Sequence, residues 1–320
     1  PSEITKDADN VSSNGSRLFP NKGLSLDQIC QAIQNSGLVS EIINPDYAIK
    51  NDKGEVVDVC ISISYLKRII NAYSTIGVLL ILVVSVPNGG AHGLHAVTVV
   101  GHTTLEPELV QTTKEISWMS ESINKLYAHD DQWGPFARIE LENNIELHSP
   151  WTHFHPDRRP TLLKNIVVPV YPKIRISYQD IEAMVLGIDA IFTLLFGDNA
   201  IEDLVWDIKL VHSEDYKVQV NGYSVSNESK LKVLTGSLPR YLWLATCTIG
   251  SNKVFDFTFD ATDVSNGMYA KHFLSFIKAP FDSQLRQFLI LNRGGLQQLF
   301  QHRQAAAYFD FILESIVVPA

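Results

Sequence analysis

The chain has 320 residues, of which 45% are hydrophobic and 19% charged, so it holds enough apolar material for one large domain or two ordinary ones. This composition excludes a disordered chain, a disulfide-rich miniprotein and a fibrous repeat. Its 35 acidic and 26 basic residues give a net charge of -9, which argues against a protein that grips nucleic acid through phosphate contacts.

Three widely spaced cysteines, Cys30, Cys60 and Cys247, form no CxxC pair. They predict reduced thiols in the cytoplasm and a fold stabilised by packing. The opening stretch 1–23 begins with proline and lacks an apolar segment, so it does not have the pattern of a signal peptide. A lost initiator methionine and a fragment of a longer chain both fit this start. The most apolar run, Val78–Val84, is far shorter than the roughly 20 residues of a membrane span, and we predict a soluble protein without membrane contact.

The first half of the chain has an α+β pattern. A helix is predicted from Ser25, which lies three residues before Gln28 in a capping box, and it ends at Gly37. Alternating β-branched residues and turn signals define the elements that follow. These are a strand at 56–63, a helix at 65–73, strands at 77–86 and 94–101, a helix within 109–122, a strand at 125–129 and a strand from Ala137.

Prolines mark 149–160 as a loop and as the best candidate for a domain boundary. We therefore predict two domains, 1–150 and 151–320, the second being an α+β accessory domain. Its predicted elements are an interrupted edge or connector strand at 166–176, a very apolar helix at 178–196, a strand at 204–211, a helix at 227–234, a hairpin of 240–249 with 254–259, and a final helix at about 296–316.

The most informative feature is a histidine at the start of an apolar strand. His95 opens such a strand, which would mount the ring stiffly enough for a general base. The next strand ends at Asp130 and Asp131, and a carboxylate on a neighbouring antiparallel strand can orient an imidazole and stabilise its charged form. The alternative is that His95 is a strand-entry residue beside a glycine-rich turn, and that the two aspartates form a solvated turn.

The run His-Ala-Val-Thr-Val-Val-Gly at 95–101 resembles the histidine strand of papain-like cysteine peptidases, particularly the bacterial peptidase C39-like branch. In that branch the next strand ends in an aspartate before a Gly-Pro-like turn, and Asp130 and Asp131 before Gly134-Pro135 match this order. The helix ending at Gly37 is also similar to the family's second helix.

The resemblance covers about residues 24–140. It implies a papain-like antiparallel sheet with helices and a Cys-His-Asp triad, with His95 as base and Asp130 or Asp131 orienting its ring. The implied substrate is an amide bond in a peptide or protein. Transglutaminase and acyltransferase chemistry remain open, since both use the same groups.

The family's nucleophilic cysteine starts a helix that precedes all of the matched segments. No cysteine occurs before Cys30, so the resemblance implies a cysteine upstream of Pro1. Cys30 lies on the apolar face of a predicted helix, and Cys60 and Cys247 lie in apolar strands, which predicts three structural thiols. The alternative function is a catalytically inactive papain-like scaffold or interaction subunit.

Three histidines near the predicted boundary give a weaker, third class of function. His148, His153 and His155 lie close to Asp157, and a metal hydrolase at this loop is one interpretation. The spacing matches no zinc signature, so we predict neither a metal nor a cofactor.

The C-terminal half offers carboxylates and aromatic residues. Asp256, Asp260 and Asp263, with Thr262, suggest a carboxylate pair for glycoside chemistry. The alternation of Asp256 with the phenylalanines and a turn at 260–263 favour a solvated strand face instead. Phe255, Phe257 and Phe259 predict an ordinary β core, with a protein-partner surface as the alternative.

Overall fold

The computed structural model describes residues 24–88, 91–105, 116–154, 161–196, 204–263 and 270–276, with a few positions between 287 and 294. Helices and strands are both present, which confirms the predicted α+β class. The strands are β1 (Val39–Ile43), β2 (Tyr47–Lys50), β3 (Val56–Cys60), β4 (Leu80–Asn88), β5 (Ala91–Thr104), β6 (Ser117–Trp118), β7 (Ile123–Asp130), β8 (Gly134–Glu142), β9 (Glu146–His148), β10 (Thr161–Val170), β11 (Leu204–His212), β12 (Tyr241–Ile249), β13 (Asn252–Asp260) and β14 (Ala270–Ser275). The helices are α1 (Leu26–Asn35), α2 (Ile63–Ser74), α3 (Pro150–Phe154), α4 (Tyr178–Phe196), α5 (Ser213–Gly222) and α6 (Asn227–Thr235).

The chain divides into two compact units. The first holds the described residues up to Ile70, together with those of Gly77–Leu105 and Ile123–Pro172. The second unit holds Asn71–Ile76, the described part of Glu106–Ser122, and the described residues that follow Pro172. The described residues between 151 and 172, which the sequence placed in the accessory domain, thus lie in the first unit.

The first unit is built on a closed antiparallel barrel. Its strands follow the order β10-β4-β5-β7-β8-β9, and β9 pairs back to β10, so six strands form a ring. β1 pairs with β10 outside that ring, and β2 and β3 form a separate two-stranded sheet. Short connections join β4 to β5, β7 to β8 and β8 to β9, as antiparallel neighbours allow.

α1 begins as the sequence predicts. Ser25 Oγ accepts a hydrogen bond from the Gln28 N–H at 3.3 Å, and Gln28 Oε1 accepts from the Ser25 N–H at 2.8 Å. Both halves of the capping box are therefore present, and two N–H groups that the first turn leaves open are satisfied.

The prediction of an interrupted edge strand at 166–176 is wrong. β10 starts earlier, at Thr161, and pairs with β4 on one side and with β1 and β9 on the other. Pro169 is tolerated because it lies opposite Ser40 near the end of the short β1 pairing, where a missing N–H costs little.

Strand alternation decides which side chains enter the barrel. Val97 and Val99 of β5 are buried, as are Leu126 and Ala128 of β7. Because side chains on a strand alternate between its two faces, His95 shares the inward face of Val97, and Asp130 shares that of Ala128. The two predicted site residues therefore point to the same end of the barrel.

The second unit is a five-stranded sheet covered by helices. Its order is β14-β13-β12-β11-β6, with β6 parallel to β11. Phe192 of α4 stacks on Phe255 with ring centroids 4.6 Å apart, and Tyr216 of α5 packs with Leu242 on the other face. Phe257 and Phe259 are also fully buried, which confirms the prediction of an ordinary β core.

The prediction that Asp256 and Asp260 are solvated is wrong. Asp256 is fully buried, accepts from Thr246 Oγ1 at 2.7 Å and lies 3.1 Å from Lys253 Nζ. Asp260 is also buried, and its Oδ1 accepts from the N–H of Thr262. The strand alternates as predicted, but α5 covers the face opposite the phenylalanines.

Two predicted elements fall on residues that the structure does not describe. These are the final helix at 296–316 and most of the helix within 109–122, of which Ser117–Trp118 form β6 and Met119–Ser122 a 3-10 turn. Among the helices in the described part of the chain, none combines the length and apolar character that a membrane span requires.

The Lys253–Asp256 pair gives a prediction on stability. Burial raises the pKa of Asp256, although Lys253, Thr246 and Tyr223 act to lower it. Because the pKa of Asp256 is higher in the folded than in the unfolded protein, its protonation stabilises the fold. This stabilisation is complete below the unfolded pKa of about 3.9 and is lost as the pH rises through the folded pKa. Lys253→Met removes the facing cation, so the free energy of unfolding should fall by about 3–5 kcal/mol at pH 7 and by much less at pH 3.

Urea denaturation at the two pH values measures this difference. Tyr216→Phe is the matched control, since the Tyr216 hydroxyl is buried without a hydrogen-bond partner in the described part of the chain. Its removal should change stability by less than about 1 kcal/mol. An equal loss in Lys253→Met at both pH values would contradict the account of the pair.

Candidate active site

The barrel brings His95 and both predicted aspartates together. β5 and β7 are antiparallel neighbours with Thr98 opposite His129, so the start of β5 meets the end of β7. His95 Nε2 lies 3.2 Å from Asp130 Oδ2 and 3.5 Å from Asp131 Oδ1. The sequence predicted this juxtaposition; the catalytic roles of the three residues stay predictions.

Asp130 is held by donors on both carboxylate oxygens. Its Oδ1 accepts from the backbone N–H of Gln132 at 2.8 Å and from that of Trp133 at 3.2 Å. Its Oδ2 accepts from Trp151 Nε1 at 2.8 Å. Burial alone would raise the pKa of Asp130, but these hydrogen bonds and the nearby His95 together lower it. The carboxylate is therefore ionised and fixed in orientation.

The two aspartates differ sharply in their surroundings. The Asp130 side chain is 3% exposed, whereas that of Asp131 is 80% exposed. A buried and hydrogen-bonded carboxylate keeps one orientation, while an exposed one samples several rotamers. Asp130 is thus the better candidate for holding the imidazole.

Trp151 is a site residue that the sequence reasoning missed. Its ring centroid lies 5.0 Å from that of His95, and Trp133 meets it edge-on at 5.7 Å. The predicted loop at 149–160 in fact begins with the short helix α3, which Pro150 can start because the first helical N–H needs no partner. The available signal was Pro150-Trp151 itself, a proline at a possible helix start followed by an aromatic residue.

Comparisons with models of protein families, with curated proteins and with solved structures found no match for this chain.

A small cavity lies inside the barrel against the Asp130 carboxylate. Most of its lining is apolar, and the polar members include Asp130, Ser149 and Thr161. The Thr161 hydroxyl lies 3.2 Å from that of Thr152, which also contacts the Leu147 carbonyl. Apolar walls next to the Asp130 carboxylate lower the local dielectric, which strengthens its electrostatic interactions.

The cysteines do not join the cluster of His95, Asp130 and Asp131 in the described part of the chain. Cys60 and Cys247 are fully buried, and burial raises the pKa of both thiols, which disfavours the reactive thiolate. Both are structural, as predicted. Cys30 is partly buried on α1.

The predicted histidine loop is described only in part. His148 Nε2 lies 3.7 Å from Glu146 Oε2 on β9. His155 and Asp157 lie outside the described residues, as does the side chain of His153. The metal hydrolase at this loop stays the weaker alternative that the sequence left open.

The Trp151 hydrogen bond should contribute measurably to stability. Trp151→Phe keeps an aromatic ring beside His95 but removes the N–H donor to Asp130, so the free energy of unfolding should fall by about 1.5–3 kcal/mol in urea denaturation at pH 7. Trp133→Phe is the matched control. It makes the same change of ring but removes no hydrogen bond to Asp130, because Trp133 contacts that carboxylate through its backbone N–H. A loss in Trp133→Phe as large as that in Trp151→Phe would show that the hydrogen bond adds nothing.

Proposed function

We propose that the protein is a cysteine peptidase-like amide hydrolase with a papain-like first unit, in which His95 is the general base and Asp130 orients it. The observation that carries the proposal is the contact of His95 Nε2 with a buried carboxylate that has donors on both oxygens. A general base needs this combination of a fixed ring and a stable counter-charge.

The order of elements supports the papain-like assignment. His95 lies near the start of one strand, Asp130 ends the antiparallel neighbour, and Gly134-Pro135 opens the next strand of the barrel. This is the order that the resemblance implies. The barrel itself supports only the α+β class, since closed antiparallel barrels serve many functions.

In the proposed mechanism the two nitrogens of His95 have separate tasks. Nε2 faces Asp130 and Asp131, which leaves Nδ1 on the side away from the carboxylates. A nucleophile activated by this ring would approach Nδ1, give up its proton there and attack the carbonyl carbon of the substrate. The imidazolium would then return the proton to the leaving amine.

The proposed nucleophile is a cysteine encoded upstream of Pro1. The burial and raised pKa of Cys60 and Cys247 make both poor nucleophiles, which supports a thiol from elsewhere. The substrate class is a peptide or protein amide, and the second unit is proposed to select the substrate or a protein partner.

A thiol-labelling experiment on the full-length protein tests the proposal. Sequencing the residues encoded before Pro1 first establishes whether that cysteine exists. An active-site-directed thiol electrophile should then label it, and His95→Ala should slow the labelling by about 10²–10⁴-fold, the usual contribution of a general base.

Two variants serve as controls. Cys30→Ala should be labelled at the full rate. Asp131→Asn should slow labelling much less than Asp130→Asn, because only Asp130 is both buried and fixed by hydrogen bonds. Equal labelling of the parent protein and His95→Ala would remove His95 from the mechanism. If no cysteine is encoded upstream, the inactive papain-like scaffold becomes the better interpretation.

A further inference from the structure

We propose that His95 Nε2, Asp130 Oδ2 and Asp131 Oδ1 bind a divalent transition-metal ion, with Zn²⁺ as the probe. The ligand atoms of these three residues all lie within 4.8 Å of one another at the end of the barrel. The amino-acid sequence predicted no metal, and the geometry points to one.

The spacing of the three atoms matches that of ligands around one ion. Zn–N and Zn–O bonds of about 2.0–2.1 Å at tetrahedral angles place neighbouring ligand atoms about 3.3 Å apart. The distances from His95 Nε2 to the two carboxylate oxygens are 3.2 Å and 3.5 Å. Asp130 Oδ2 and Asp131 Oδ1 lie within 4.8 Å of each other, so an ion reaches bonding distance from all three atoms once the exposed Asp131 side chain moves closer.

The state of His95 Nε2 is an independent sign. The atom is shielded from solvent, and within the described part of the chain it forms no aligned hydrogen bond, despite two oxygens within 3.5 Å. A buried ring nitrogen without an aligned partner loses its hydrogen bond to water, and a poorly directed contact with a carboxylate replaces that bond only in part. A metal ion would satisfy the nitrogen lone pair directly.

Groups around the three ligands fit the outer shell of a metal site. Trp151 Nε1 donates to Asp130 Oδ2, the proposed ligand atom, and backbone N–H groups occupy Oδ1. Asp130 would thus bind through one oxygen only, in an orientation that its neighbours fix. One imidazole and two carboxylates suit a transition metal, and three protein ligands leave a position for water.

The metal and the proposed acid-base role use the same nitrogen. A metal on Nε2 would displace the proton that faces Asp130, so the ion would inhibit the hydrolase; this consequence rests on the proposed function. Metal binding itself does not depend on the proposed function, and it is measured without substrate.

Calorimetric titration of the full chain with Zn²⁺ after chelator treatment tests the site. We expect one saturable site per chain, at least about tenfold weaker binding in Asp131→Asn, and loss of the site in His95→Gln. Asp131 is 80% exposed, so its substitution should leave the fold intact, as a urea unfolding curve would verify. The matched controls are Cys30→Ser and the double substitution His153→Gln with His155→Gln, which remove other metal-binding groups and should leave the affinity unchanged.

Two results would overturn the proposal. One is the absence of a saturable site in the parent protein. The other is a Zn²⁺ affinity that falls in Cys30→Ser or in the His153→Gln, His155→Gln double variant and is unchanged in Asp131→Asn. Either result leaves the labelling experiment on the hydrolase untouched, so the two proposals can fail separately.

Discussion

The structure of the candidate site depends on one buried carboxylate. Removing an ionised side chain from water costs several kcal/mol unless donors replace the lost solvent. Asp130 has three N–H donors, one from Trp151 and two from its own turn, in addition to His95. These contacts lower the pKa of Asp130 against the effect of burial, and they fix the direction in which its charge acts. This charge lies 3.2 Å from His95 Nε2, and both proposals for the barrel end start from that contact.

The barrel makes this arrangement possible through strand alternation and register. His95 lies two residues before the buried Val97, and Asp130 two residues after the buried Ala128, so both side chains enter from the same end. A one-residue slip in either strand would turn its functional side chain outward. Under the two proposals, a proton and a metal ion would compete for His95 Nε2, so the same cluster would serve acid-base catalysis and would be inhibited by metal.

Local sequence patterns predicted many of the elements and the His95–Asp130 juxtaposition, because both rest on short-range periodicity and on strands that follow one another. They missed short strands such as β1, β2 and β9 and the helix α5. Closure of the barrel through β9 and β10 could not be predicted, since it depends on a pairing that no local pattern encodes. Trp151 was missed for a similar reason: its partner Asp130 lies 21 residues earlier in the chain. Asp256 was misassigned for another reason. Strand alternation shows that its side chain lies on the face of β13 opposite Phe255 and Phe257, but it does not show that α5 covers that face.

The tautomer of His95 is the most direct test of the account. A long-range ¹H–¹⁵N NMR spectrum of the chelator-treated protein shows which ring nitrogen carries the proton when the imidazole is neutral. We predict the proton on Nε2, because a lone pair there would face the Asp130 and Asp131 carboxylates and be repelled by both. Asp130→Asn should weaken that preference. A proton on Nδ1 in the parent protein would contradict the proposed hydrolase mechanism, because Nδ1 would then have no lone pair with which to act as the base.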